Sequence, residues 1–176
     1  MWDLKVQLFM PAEAVKIRAQ KDRVPYQDWI DAGLIETCPG DVIDTVQIAE
    51  RIKQWCELHA VEETLFDRYN SRQISVKLGD EGYKCSEVAQ SFQGLTEATK
   101  TFLSLVKEGK VRHGGNPALR WMAGCATTVA DRNANMMLTK PDPLKSSKRI
   151  DGLTAAVFAM TKAMIYRPQG DYVIAL

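Results

Sequence analysis

Apolar and polar positions alternate at the start of the chain, where Leu4, Val6 and Leu8 interleave with Asp3, Lys5 and Gln7. A period of two predicts a half-buried strand over residues 2–9. An Ala/Glu/Lys-rich helix opens at Pro11 and fades near Asp22, and residues 26–34 form a short helix stopped at Gly33. Pro39-Gly40-Asp41 marks a turn. From Asp44 the period lengthens. Val46, Ala49, Ile52 and Cys56 share one face of a helix that Asp44 or Thr45 can cap. The apolar run Thr64-Leu65-Phe66 predicts a short strand that delivers Asp67 to its C-terminal edge. A helix follows from about Ser71 to Gly82, and residues 83–89 predict a further strand. Residues 92–108 predict a long helix with Leu95, Phe102, Leu105 and Val106 inward and Gly109 as its stop.

Residues 118–130 and 136–139 predict the two arms of a hairpin turning about Asp131-Arg132-Asn133-Ala134-Asn135. After Pro141-Asp142-Pro143 comes a last helix, capped by Ser146 or Ser147, with Leu153, Ala156, Val157, Met160 and Met164 as its apolar stripe. No repeat or internal linker interrupts the alternation of strands and helices. One α/β domain spanning residues 1–176 is expected, with a mixed sheet flanked by helices and a β-hairpin before the last helix.

Composition narrows the functions open to this fold. Hydrophobic residues make up 45% and charged residues 26%, which suits a solvated globule with its own core. No apolar run approaches the ~20 residues that cross a bilayer, and the first residues lack a secretion signal. A cytoplasmic chain with no membrane partner is expected. Cys38, Cys56, Cys85 and Cys125 contain no CxxC pair, and His59 and His113 are too few to complete a zinc site. Four buried, reduced thiols are expected, and Trp55, Trp121 and Phe102 are expected in the core. A net charge of +1 means that any nucleic-acid contact must come from local clusters. GxxxxGK[ST], GxGxxG and GxSxG are all absent, so P-loop, dinucleotide and acyl-transfer chemistry lack support.

Two carboxylates stand out. Asp67 ends a predicted strand, where ligand-binding groups of open α/β sheets collect, and Asp151 lies near the start of the last helix. Carboxylates converging from a strand end and a helix start can hold Mg²⁺. On spacing alone, a helix cap for Asp67 and a dipole-favoured carboxylate for Asp151 are the readings to prefer. Basic residues gather at Lys107, Lys110, Arg112, His113 and Arg120, and again at Lys140, Lys145, Lys148 and Arg149. The second group neighbours Asp151 and the hairpin tip. Phosphate tracking and a plain solvated surface both fit such clusters, and a structural role fits His113.

Four segments carry a family resemblance. They are the run from Arg112 through His113, Gly114, Gly115, Asn116 and Pro117 to Ala123; Lys148-Arg149-Ile150-Asp151-Gly152 continuing to Ala156; Phe66-Asp67-Arg68-Tyr69-Asn70; and Val24-Pro25-Tyr26 through Trp29 to Leu34. In order and spacing they resemble the C-terminal nuclease domain of tailed-phage terminase large subunits, over nearly the whole chain. The resemblance implies a ribonuclease-H-like fold and endonucleolytic cleavage of concatemeric double-stranded DNA by a two-metal site using Mg²⁺ or Mn²⁺. It implies Asp67 and Asp151 as catalytic metal ligands, with Lys140, Lys145, Lys148, Arg149, Arg112 and His113 toward DNA. In the full-length family the portal and the terminase small subunit are partners.

The chain departs from the family pattern in two ways. The family's ATPase and its first-strand catalytic aspartate precede the segment where this chain begins, and Gly124-Cys125 stands where a Ser-Asn pair is usual. Two further expectations follow: self-association through an exposed sheet gap, or shielding of that gap by the N-terminal strand, and, as the rival function, an inactive remnant that only docks DNA or a packaging partner.

Overall fold

The computed structural model describes residues 1–69, 71–142 and 148–166, and the backbone of 172–175. Strand β1 (Trp2–Val6) lies between β6 (Val111–Arg112) and β9 (Tyr172–Ala175), parallel to both. Strand β2 (Leu8–Pro11) pairs in parallel with β3 (Ile35–Cys38), and β4 (Thr64–Asp67) with β5 (Cys85–Val88). The antiparallel pair among the described residues is the hairpin of β7 (Thr127–Ala130) and β8 (Met136–Thr139). Helices connect these strands: α1 (Ala14–Asp22), α2 (Tyr26–Asp31), α3 (Thr45–Leu58), α4 (Arg72–Asp80), α5 (Phe92–Lys107), α6 (Pro117–Cys125) and α7 (Asp151–Ala163).

Three apolar clusters hold these layers together. The largest joins Leu4 and Val88 from the strands to Leu95, Ala98 and Phe102 of α5, Leu119 and Met122 of α6, and the α7 stripe Leu153, Ala156, Val157 and Met160. A second gathers Met10, Val15, Tyr26, Trp29 and Ile35 around Ala118. A third packs Ala49 and Ile52 of α3 and Ile74 and Leu78 of α4 against Phe66. Burying an aliphatic or aromatic side chain contributes roughly 1.5–3 kcal/mol, so these clusters dominate the fold's stability.

Local signals explain most boundaries. Asp44 caps α3 by accepting from Val46 N at 2.8 Å, and Ser91 caps α5 by accepting from Gly94 N at 3.1 Å. Gly33, at φ +72°, lets the chain turn out of α2 into β3. Asp131 closes the hairpin loop by accepting from Asn133 N at 2.8 Å and from Asn135 N at 2.9 Å. The Asn135 side chain donates to it as well, and these bonds hold its carboxyl below the usual range.

Several expectations change. The strand over residues 2–9 breaks at Gln7 into β1 and β2, which join different ladders. Pro11 ends β2 and does not open α1. Residues 118–130, expected as a hairpin arm, are mostly α6: Asn116 accepts from Leu119 N at 3.1 Å and Pro117 occupies the first turn, a strong helix start. Only Thr127–Ala130 forms the arm. Val106 is 48% exposed because its neighbour Leu105 already faces the core, and adjacent helical residues point about 100° apart. Val46, in the first turn of α3, is also exposed.

Of the four thiols, Cys38 and Cys125 are buried, whereas Cys56 and Cys85 are half-buried; all four are free. Phe102 is buried, and Trp121 packs half-buried against Trp29 and Tyr26 at centroid distances of 5.8 and 6.2 Å. Trp55 is half-buried. α7 begins at Asp151 with no side-chain cap from Ile150; Ser146 and Ser147 lie outside the described residues.

Candidate functional site

The geometry of the site starts from the alternation of side chains along β4. Phe66 joins the cluster under α3 and α4, whereas Leu65 packs against the cluster shared by α5, α6 and α7. Residues two apart on a strand share a face. Asp67 therefore shares the β4 face of Leu65, and Glu63 stands just before that strand. The Glu63 carboxylate lies 3.4 Å from Lys162 Nζ and 3.5 Å from Tyr166 Oη, both at the C-terminal end of α7.

The other end of α7 is located independently. A Cβ on Gly152 would lie 3.2 Å from Met122 Sδ and 3.3 Å from carbons of Leu119 and Leu8. Leu8 lies two residues beyond the last residue of β1, so α7 starts beside the end of β1, with Asp151 as its first residue, and its far end reaches Glu63 just before β4.

The two aspartates differ in exposure. Asp67 is half-buried, and its Oδ1 accepts from Tyr69 N at 3.5 Å. It does not cap the following helix, since α4 begins after Ser71. Asp151 is exposed as the first residue of α7, where the positive helix end favours a carboxylate. Among the described residues no cluster of three or more His, Cys, Asp or Glu side chains is assembled for a metal ion. Two carboxylates, completed by water and phosphate oxygens, do suit Mg²⁺, which is commonly held by one or two carboxylates. A three-carboxylate set is not present among those residues.

The basic residues divide between two places. Lys148 is exposed and Arg149 half-buried, directly before Asp151; Lys140 follows β8 and is half-buried. Because Thr127 pairs with Thr139, Lys140 sits at the base of the hairpin and not at its tip. Lys145 lies outside the described residues. Arg149 Nε is buried without a hydrogen bond. The Arg149 charge also reaches Tyr26, whose hydroxyl is pushed above its usual range by burial and by the bond it donates to Asp22 at 2.8 Å.

Arg112 holds Asp3 on the neighbouring strand through two contacts, at 2.7 and 2.6 Å. The pair sits in the first half of β1, away from the edge where Asp151 stands. His113 is half-buried, with Nδ1 screened from solvent and without a hydrogen bond.

Sequence reasoning passed over Glu63. Its side chain is only 3% exposed, and it accepts a short hydrogen bond from Ser86 Oγ besides the Lys162 contact. Lys84 Nζ stands 3.9 Å away and is hydrogen-bonded to Tyr166 Oη at 2.9 Å. Burial pushes the Glu63 carboxyl up, and the bonds from Ser86 and Lys162 together with the lysine charges outweigh it, so it titrates below its usual range. The usable signal was its position two residues before a strand residue that faces the core.

The helix-flanked strands match those of a ribonuclease-H-like nuclease domain. The chain belongs to the family described as terminase large subunit, endonuclease domain, which matches residues 4–166. Endonuclease domains of this family generally use divalent metal ions. The chain is 30% identical over 165 residues to the terminase large subunit of Enterobacteria phage HK97, covering 93% of this chain and 32% of that protein. It is 25% identical over 146 residues to protein YmfN of Escherichia coli (strain K12), covering 82% and 31%. The crystal structure of the HK97 bacteriophage large terminase superposes with a TM-score of 0.77 at 30% identity, covering 87% of this chain and 32% of that one. The chain thus spans about a third of the length of the curated relatives it matches. Among the described residues, no helix is long and apolar enough to cross a membrane.

Proposed function

We propose that this chain is the metal-dependent endonuclease domain of a phage DNA-packaging terminase, with Asp67 and Asp151 as the carboxylates that hold Mg²⁺ or Mn²⁺. One arrangement carries the reading: Asp67 shares a strand face with Leu65, which packs on the cluster that includes α7, and Glu63 just before that strand contacts the far end of α7. A strand end and a helix start then present two carboxylates at one edge. Such a cation, when bound, supplies Lewis acidity toward a phosphodiester and activates water. The chain's own part is to orient and to neutralise. Asp67 is fixed by the β4–β5 ladder and Asp151 by the packing of Gly152. Lys140, Lys145, Lys148 and Arg149 track the phosphates of double-stranded DNA beside them, with Arg112 and His113 as a second, more distant group. In the longer protein of which such domains form part, the portal and the small subunit are the proposed partners and the host cytoplasm the proposed location.

Plasmid nicking tests this directly. With Mn²⁺ present, the chain is expected to relax supercoiled DNA, and Asp67→Ala and Asp151→Ala are each expected to abolish the activity. Nicking that survives both substitutions would overturn the site. Salt-sensitive DNA binding without cleavage, indifferent to both substitutions, would instead favour a docking module.

A further inference from the structure

We propose that Glu63 is a positioning residue, setting where Asp151 stands relative to Asp67 by fixing α7 along its axis; this rests on the metal-site reading above. The Glu63 clasp gathers groups from three places. Lys162 comes from the last turn of α7 and Tyr166 from just beyond it, Lys84 precedes β5, and Ser86 lies within β5. The Lys84 ammonium also stands over the Tyr166 ring, 5.2 Å from its centroid. The C-terminal end of α7 is therefore tied by directional polar contacts to the β4–β5 pair that carries Asp67.

Stability alone accounts poorly for this arrangement. Lys162 and Lys84 are 40% and 60% exposed, and ion pairs with such exposed partners contribute little. Burying the Glu63 carboxylate costs free energy that an apolar residue would not incur. Apolar contacts are not directional, and the start of α7 is held by such contacts alone among those described: the stripe of Leu153, Ala156, Val157 and Met160, and Gly152 against the side-chain ends of Leu8, Leu119 and Met122. The Glu63 contacts, by contrast, link the end of α7 through Lys162 to a carboxylate anchored by Ser86 of β5, and so resist movement along the axis. A single-residue slip along the axis would carry Asp151 by about 1.5 Å, and a misplacement of about 1 Å can cost on the order of 100-fold in rate.

Amide NMR of the ¹⁵N-labelled chain with Mn²⁺ titration tests the proposal. The variants are Glu63→Gln, Lys162→Met and their combination, with Glu36→Gln as control. Glu36 pairs with Arg51 at 2.6 Å, tying α3 to β3 without touching α7. Glu63→Gln is expected to shift the amides of residues 151–153 and to raise the Mn²⁺ concentration that half-broadens them by about 10-fold, the lower range for residues that support metal ligands. Lys162→Met should act alike, and the double variant should add nothing further. Glu36→Gln should leave these amides unmoved. If Glu63→Gln lowers the melting temperature while the 151–153 amides stay in place, Glu63 is only a stabilising contact and the proposal is wrong. Should Mn²⁺ broaden neither Asp67 nor Asp151 in the unsubstituted chain, the metal reading fails separately, and the amide shifts still decide whether Glu63 positions α7.

Discussion

Glu63, just before β4, and Asp67, its last residue, have surroundings that differ in kind. Glu63 is 3% exposed, and Ser86, Lys162, Lys84 and Tyr166 converge on it. Asp67 is half-buried and accepts from Tyr69 N at 3.5 Å, and Asp151, at the start of α7, is exposed. The contrast separates two uses of an acidic residue. A carboxylate closed in by the chain's own cations is committed to structure. Asp151, exposed at the positive end of α7, instead stands where an anion is favoured and solvent reaches it.

If that division holds, function and stability separate on substitution. Asp67→Asn and Asp151→Asn should each lower Mn²⁺-dependent nicking by at least about 100-fold, the upper range seen even for groups that merely support metal ligands. Neither should lower the melting temperature appreciably. A large thermal loss in either would move that residue to the structural side. Glu63→Ala should act on both, weakening Mn²⁺-dependent nicking by about 10-fold and costing about 1 kcal/mol in denaturant unfolding.

Acid should erase the stability difference between the unsubstituted chain and the Glu63→Gln variant. The Glu63 carboxyl titrates below its usual value of 4.5, so its contribution to stability is complete above that pH and is lost as pH falls through the folded value. Comparing the chain with Glu63→Gln isolates this group from Asp131 and Glu108, whose carboxyls are also held low, the latter chiefly by Lys110. A stability gap between the two proteins that persists unchanged well below that usual value would contradict the clasp. The smallest expected effect is at Gly152→Ala. The new methyl meets only the flexible ends of Met122, Leu119 and Leu8, and the helix gains by losing glycine, so the net change should stay under about 1 kcal/mol. A loss well beyond that would mean that the start of α7 is held as rigidly as its end.

How much of this was readable without coordinates depended on punctuation and length. α3, α5 and α7 announce themselves through Asp44, Ser91 and a long apolar stripe, and β4 and β5 are bounded by clear breaks. α6 hides because Ala118 to Ala130 is one apolar run, and the helix start written in Asn116-Pro117 outweighs the strand pattern that this run suggests. β3 spans only Ile35–Cys38, too short for a period to show. The break at Gln7 is invisible because Leu8 continues the alternation of Leu4 and Val6 after the chain has changed ladders.

The site divides in the same manner. Asp67 and Asp151 stand out by position along the chain, whereas Glu63 owes its importance to Lys162, ninety-nine residues away in sequence. Arg112 is visible as a charge, but its partner Asp3 is visible only through the parallel pairing of β1 and β6.

Anomalous diffraction from crystals soaked in Mn²⁺ would reach the shared edge of β4 and α7 most directly. One peak within coordination distance of both the Asp67 and the Asp151 carboxylates is the expected result. Peaks that contact only one of the two, or that lie elsewhere while this edge stays empty, would contradict a common metal centre.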